Sequence, residues 1–260
     1  MNREITLDGL HEILYDIAKE FHDICTRNAI PYYMLGGTLL GAVRHKSIIP
    51  WDDDMDFGVP RRYFGQLKVI LSQELPAFYR VVDLINDKES ASPTLKIEDT
   101  RTSIKEIGKA QRHGVFVDIF PLDKTNGNKS LFSRNSIIQN LVRIDQYRDT
   151  KDDRYGAKKI IEIVAKAAFC FFPRTYFLRK ADYIAANGNG VFCANHFGYW
   201  RMKEIMPLSI FQKRKLYAIG TIQMYGVADY DSYLKSLYGD YMQLPPEDKR
   251  HIHISEMYWK

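Results

Sequence analysis

The sequence predicts an α/β (α+β) chain: a mixed-sheet core flanked by helices, followed by a mostly helical C-terminal half. Three observations carry this. Residues 7–28 place apolar side chains at helical spacing. Between residues 32 and 120, short runs of β-type residues are punctuated by Gly and Pro. Beyond residue 128 the apolar spacing becomes helical again. Residues 1–125 therefore read as the core, and 126–260 as a helical region packed on it in one unit, with Asn126-Gly127-Asn128 at the junction.

The elements follow in order. Leu7, Leu10, Ile13, Leu14, Ile17, Phe21 and Ile24 line one helix that ends near Asn28. Pro31 then leads into a strand over 32–35, a Gly36-Gly37 turn, and a helix over 38–45 with Thr38 as N-cap. Residues 47–53 are irregular around Pro50. A strand over 55–59 has Asp54 at its start and Asp56 inside it, and Pro60 opens a helix to about Leu75. Weaker strands follow at 79–84 and 94–98. A clearer one covers 115–120, with Asp118 between apolar neighbours and Pro121 at its end. Helices are expected over 130–147, 158–170 and 175–186. The last quarter is tyrosine-rich and turns at Gly220, Gly226, Gly239 and Pro245-Pro246.

Composition excludes more than it selects. The hydrophobic content of 45% is enough for a core, and the net charge of +5 is mild. No dense Lys/Arg run with interleaved aromatics points to nucleic acid. Cys25, Cys170 and Cys193 form no CxxC pair, which argues against a disulfide framework or structural zinc and for free thiols in a reducing compartment. The acid-bearing N-terminus does not read as a secretory signal, and no run reaches ~18 apolar residues. A cytoplasmic protein is expected. Residues 165–180, with Arg174, Arg179 and Lys180 among aromatics, offer peripheral contact with the inner face of a membrane or else two ordinary packed helices.

The chemistry concentrates in residues 33–60. Asp52, Asp53, Asp54 and Asp56 fall within five positions, where like charges raise one another's pKa unless something positive joins them. Strand residues two apart share a face, so Asp54 and Asp56 aim at one point, with Asp52 as a further candidate. A hard cation, Mg²⁺ or Mn²⁺, suits such oxygen ligands and leaves room for phosphates. The competing reading, a solvated acidic turn, is weakened by the core-type neighbours Trp51, Met55, Phe57 and Val59. Gly36, Gly37 and Thr38 form a turn of the kind that presents N–H groups to phosphate. Asp118 is the third acid, either a metal ligand beside Asp54 and Asp56 or half of a structural ion pair. Arg44 and Lys96 are the phosphate-binding cations, each with a plain surface role as the alternative, and His45 fixes the loop.

The stretch from Gly36 to Asp56, with Arg44-His45 and Ile49-Pro50-Trp51-Asp52-Asp53-Asp54, resembles the LicD family of phosphotransferases, to which fukutin-type ribitol-phosphate transferases are related. Lys96-Ile97-Glu98-Asp99-Thr100, residues 117–123, Tyr238-Gly239-Asp240-Tyr241-Met242, Pro245-Pro246, Lys249-Arg250 and Tyr258-Trp259-Lys260 extend the resemblance along the chain. It implies a nucleotidyltransferase-like fold, with Gly36-Gly37, Asp54-Met55-Asp56 and Asp118 matching the motif in turn. It also implies a CDP-alcohol donor such as CDP-choline, and a glycan or lipid-linked glycan acceptor, as in lipopolysaccharide, teichoic acid or capsule. The zinc-binding insertion of some fukutin-type members has no counterpart here, and His251 and His253 carry no assigned role. Two further readings stand beside this one: transfer of a nucleoside monophosphate from a triphosphate to a small acceptor, and a non-catalytic nucleotide- or glycan-binding protein.

Overall fold

The computed structural model describes residues 3–84, 92–107, 112–146, 173–250 and 252–260. Helix α1 (Leu7–Arg27) starts where the Thr6 hydroxyl accepts the Gly9 N–H at 3.1 Å, satisfying a donor that the first helical turn leaves open. Its Leu10, Leu14, Ile17, Phe21 and Ile24 are fully buried. They recur every three or four residues because only that spacing keeps apolar side chains on one face.

The chain continues through β1 (Tyr33–Met34), α2 (Gly36–Leu40), a π-helical turn (Gly41–His45), β2 (Asp56–Pro60), α3 (Arg61–Glu74), β3 (Tyr79–Val82), β4 (Leu95–Glu106) and β5 (Arg112–Thr125). Then come α4 (Lys129–Gln146), α5 (Arg174–Ala186), β6 (Phe192–Ala194), β7 (Ile205–Pro207), β8 (Arg214–Ile219), β9 (Ile222–Val227), α6 (Tyr230–Tyr238) and β10 (Ile254–Trp259). The main sheet runs β1-β2-β5-β4-β10, with β3 also on β4 and the β6–β7 pair extending from β5. Strands β2 and β5 are parallel and the other pairs antiparallel. Strands β8 and β9 form a separate hairpin.

Strand β5 organises the molecule. Val115, Val117 and Ile119 are buried, while Phe116, Asp118 and Phe120 are half-buried on the other face. The strand does not stop at Pro121. The Asp118 N–H donates to the Met55 carbonyl at 2.9 Å, so the N–H groups at alternate positions 119 and 121 point away from β2. On that side β4 pairs up to Ile119 and β6 only from Asp123. Pro121 falls in the gap, where a missing donor costs nothing.

Two other expectations change. Thr38 is not an N-cap: Leu35 holds that position and the helix starts at Gly36. The 126–260 region is helical in α4, α5 and α6, but residues 192–259 also supply five strands, and β10 returns to the core sheet on β4. The expected helix over 158–170 lies outside the described residues, as does Cys170. Cys25 and Cys193 are buried free thiols. Among the described residues no helix is long and apolar enough to cross a membrane. Of the 165–180 block, the part from Pro173 onward is described, and there Leu178 packs inward in α5.

Candidate active site

The parallel register sets Asp56 opposite Asp118, and the antiparallel register sets Lys96 opposite Asp118. Paired residues on neighbouring strands point to the same face, at ~4.8 Å strand spacing. Asp56, Asp118 and Lys96 thus form a row across β2, β5 and β4. The Lys96 ammonium lies 3.1 Å and 3.2 Å from the two Asp118 oxygens, and 3.4 Å above the Phe116 ring. Asp54 stands just ahead of β2, two residues from Asp56.

Local backbone bonds hold this arrangement. The Thr38 hydroxyl accepts the Asp56 N–H at 2.7 Å, and the Asp56 carbonyl accepts the Leu35 N–H at 2.9 Å. Thr38 therefore ties the Gly-Gly turn to the acid strand instead of capping a helix. Gly36 has φ +46°, a left-handed conformation that suits glycine. A Cβ on Gly37 would sit 2.7 Å from Asp52 Oδ2, so any larger residue there would push that carboxylate aside. The Gly36 N–H donates to the Tyr233 hydroxyl at 3.0 Å. The Asp52 carbonyl is bonded to the His11 ring at 2.7 Å.

Electrostatically the site is short of positive charge. Burial, then the Asp52 and Asp53 charges, hold Asp54 well above the usual carboxylate range. Burial, then Asp54 and Asp118, do the same to Asp56, with Lys96 opposing them. Asp52 is pushed up to about 6 by burial and by Asp53. Such a set, all carboxylate oxygens and mutually repelling, fits a hard divalent cation.

Asp53 has another task. Its Oδ2 accepts the backbone N–H groups of His253 at 2.5 Å and Ile254 at 2.8 Å, and its Oδ1 pairs with His253 Nδ1 at 3.0 Å. That hydrogen bond pushes His253 up to about 9. Ligand atoms of Asp53, Asp54 and His253 lie within 4.8 Å of one another. Both Asp53 oxygens are already engaged, so this group braces the acid loop against β10. His251 lies outside the described residues. Arg44 donates to the Tyr241 carbonyl at 2.7 Å and to the His45 ring at 2.9 Å, bracing the turn after α6. His45 in turn packs edge-on against Trp51 at 5.8 Å.

Composition and spacing did not single out the chemistry on the far side of the site. Tyr233 and Tyr238 of α6 reach Gly36: a Cβ there would lie 3.6 Å from the Tyr238 hydroxyl and 3.9 Å from Asp56 Oδ2. Tyr238 lies in a motif already quoted, but among so many tyrosines nothing marked this one until the chain was folded.

Residues 29–147 match the family described as LicD/FKTN/FKRP, nucleotidyltransferase domain. The lipopolysaccharide cholinephosphotransferase LicD of Haemophilus influenzae is 28% identical over 98% of this chain and 99% of its own length. The mouse (Mus musculus) ribitol 5-phosphate transferase FKRP is 57% identical over 147 residues, 56% of this chain and 26% of that protein. An uncharacterised protein of Rickettsia prowazekii is 46% identical over 65 residues, 25% of this chain and 23% of its own. The stretch that holds every acid of the row and the turn facing it, residues 29–147, is thus the part of the chain that is similar to the nucleotidyltransferase domain of the LicD family.

Proposed function

We propose that the chain transfers a phospho-alcohol group, phosphocholine or a relative of it, from a CDP-activated donor to a sugar hydroxyl of a cell-surface glycan. The row of Asp56, Asp118 and Lys96, with Asp54 beside it, supports this reading most directly. Relatives named as cholinephosphate and ribitol-phosphate transferases support the kind of group moved.

The transferring phosphorus is surrounded by negative oxygens that repel an incoming hydroxyl, so catalysis is mostly positioning and charge neutralisation. A divalent cation, Mg²⁺ or Mn²⁺, held by Asp54, Asp56 and Asp118 with Asp52 nearby, supplies that neutralisation when bound. Lys96, fixed over Phe116, adds a positive charge on the same face. The Gly37 and Thr38 N–H groups hold a phosphate oxygen. The acceptor oxygen bonds to phosphorus, the diphosphate P–O bond breaks, and CMP leaves. Where Asp118 does not hold a cation, one of its carboxylate oxygens takes the hydroxyl proton instead.

Purified protein with Mg²⁺, a panel of CDP-alcohols and glycan extract should release CMP only when a suitable acceptor is present. Pyrophosphate release from a triphosphate would establish nucleotidyl transfer instead. Asp54→Asn should lower turnover by about 10²-fold or more without lowering the melting temperature, since it relieves repulsion among the clustered carboxylates. A near-normal rate would remove Asp54 from the machinery.

A further inference from the structure

We propose that the turn at residues 198–204 is a carbohydrate subsite, with the Tyr199 ring as the platform on which a sugar of the acceptor glycan stacks. The inference rests on the reading that a phosphate-linked group moves to a sugar hydroxyl at the acid row, and it names where that sugar lies.

Tyr199 is 75% exposed, more than any other large hydrophobic side chain among the described residues. A phenol ring left in water gains when another apolar face covers it. This ring is also close to the chemistry. Its centroid lies 5.5 Å from that of Trp200, and the Trp200 centroid lies 4.8 Å from that of Tyr238. The Tyr238 hydroxyl stands over Gly36, beside Asp56. Two ring contacts therefore lead from the Gly36 turn out to solvent. With a diphosphate at the inner end, the outer end is where a second substrate meets the protein.

The rings suit a sugar better than a second flat ligand. Tyr199 and Trp200 stand at 89° to one another. They form a corner, not the parallel slot that grips a nucleobase on both faces. A pyranose is puckered, with C–H groups on its face to lie on a ring and hydroxyls around its rim. Arg201 and Lys203 are exposed beside the corner. The Lys203 ammonium lies 5.1 Å over the indole and donates to the Leu237 carbonyl of α6 at 2.8 Å. An ammonium has three N–H groups, so it also serves hydroxyl oxygens at that rim.

The turn is held in place before any ligand arrives. Arg201 has φ +54°, a left-handed conformation that costs a residue with a side chain and persists only where its neighbours impose it. The Trp200 N–H donates to Glu204 Oε1 at 3.3 Å, and the Phe197 N–H to Asn195 Oδ1 at 3.1 Å. A Cβ on Gly198 would meet the Glu204 carboxyl and the Asn195 amide. Strain of this kind gathers at ligand sites, and a platform fixed in advance loses little freedom on binding.

The test uses the intact chain with Mg²⁺. Saturation-transfer NMR, with CDP present, probes the methyl β-glycosides of glucose, galactose and N-acetylgalactosamine, and a calorimetric titration probes CDP itself. In wild type at least one glycoside should receive saturation at its ring C–H protons. Tyr199→Ala, at an exposed position, should weaken that glycoside by about tenfold while CDP affinity is kept. Tyr199→Phe, which keeps the ring, should bind it as wild type does. Equal glycoside binding in wild type and Tyr199→Ala overturns the proposal, as does a loss in Tyr199→Phe as large as that in Tyr199→Ala. A loss of CDP affinity in Tyr199→Ala gives the ring to the nucleotide and overturns it too. If wild type binds CDP but none of the glycosides, the subsite falls and the donor reading stands. If it binds a glycoside through Tyr199 but no CDP, the subsite stands and the donor reading falls.

Discussion

At the scale of single residues, Glu204 combines deep burial with the lack, among the described residues, of a cationic partner. Burial raises it to about 8, opposed only by the Trp200 N–H. Its folded pKa lies above the unfolded value of 4.5, so the folded chain holds the extra proton between these limits. The associated stability is complete below about pH 4.5 and is lost as pH rises through about 8. Glu204→Gln should therefore melt several degrees above wild type at pH 8 and level with it near pH 4.5. Equal melting temperatures at pH 8 would show that Glu204 ionises freely. The sequence disclosed residues of a different kind. Asp54 and Asp56 were legible because a two-residue period is a local property of the chain. Glu204 was not, because its surroundings come from the turn at 195–200 and from α6, which only folding brings together. Thr38 was misplaced for a similar reason: its hydroxyl bonds a residue 18 positions away, not its own helix.

At the scale of elements, the acid loop and β10 depend on each other. Asp53 accepts the first two N–H groups leading into β10, and β10 pairs with β4 from Ile254 to Trp259. Asp53→Ala leaves those two donors without an acceptor, at a cost of roughly 1–3 kcal/mol each. We expect a lower melting temperature and faster hydrogen exchange at residues 253–259, while α1 exchanges as before. Long local periods made α1 and α3 readable in the sequence. Strands β6 and β10 are three and six residues long and take partners far away in the chain, β6 pairing Ala194 with Asp123 and β10 pairing Ile254 with Glu106. Runs that short carry no decisive period.

At the scale of the whole molecule, Arg61 joins the two halves. At the start of α3 it bonds Asp123 of β5 at 2.6 Å and Asp182 of α5 at 2.8 Å. Asp123 is 1% exposed, so its charge has little water to fall back on. Arg61→Met should destabilise by about 3–5 kcal/mol, because it strands buried carboxylates. The loss should be read by denaturant unfolding, and an unchanged midpoint would mean that water already serves both acids. The Asp53 brace has a last consequence, for how the protein comes into being. Its contact with His253 spans 200 positions. A nascent chain still threaded through the ribosome carries every acid of the row yet lacks His253 and Ile254, the partners that seat their loop, so the loop takes its place only once β10 has been made. A protease that removes β10 would leave the row of acids in the chain while taking away the brace on their loop.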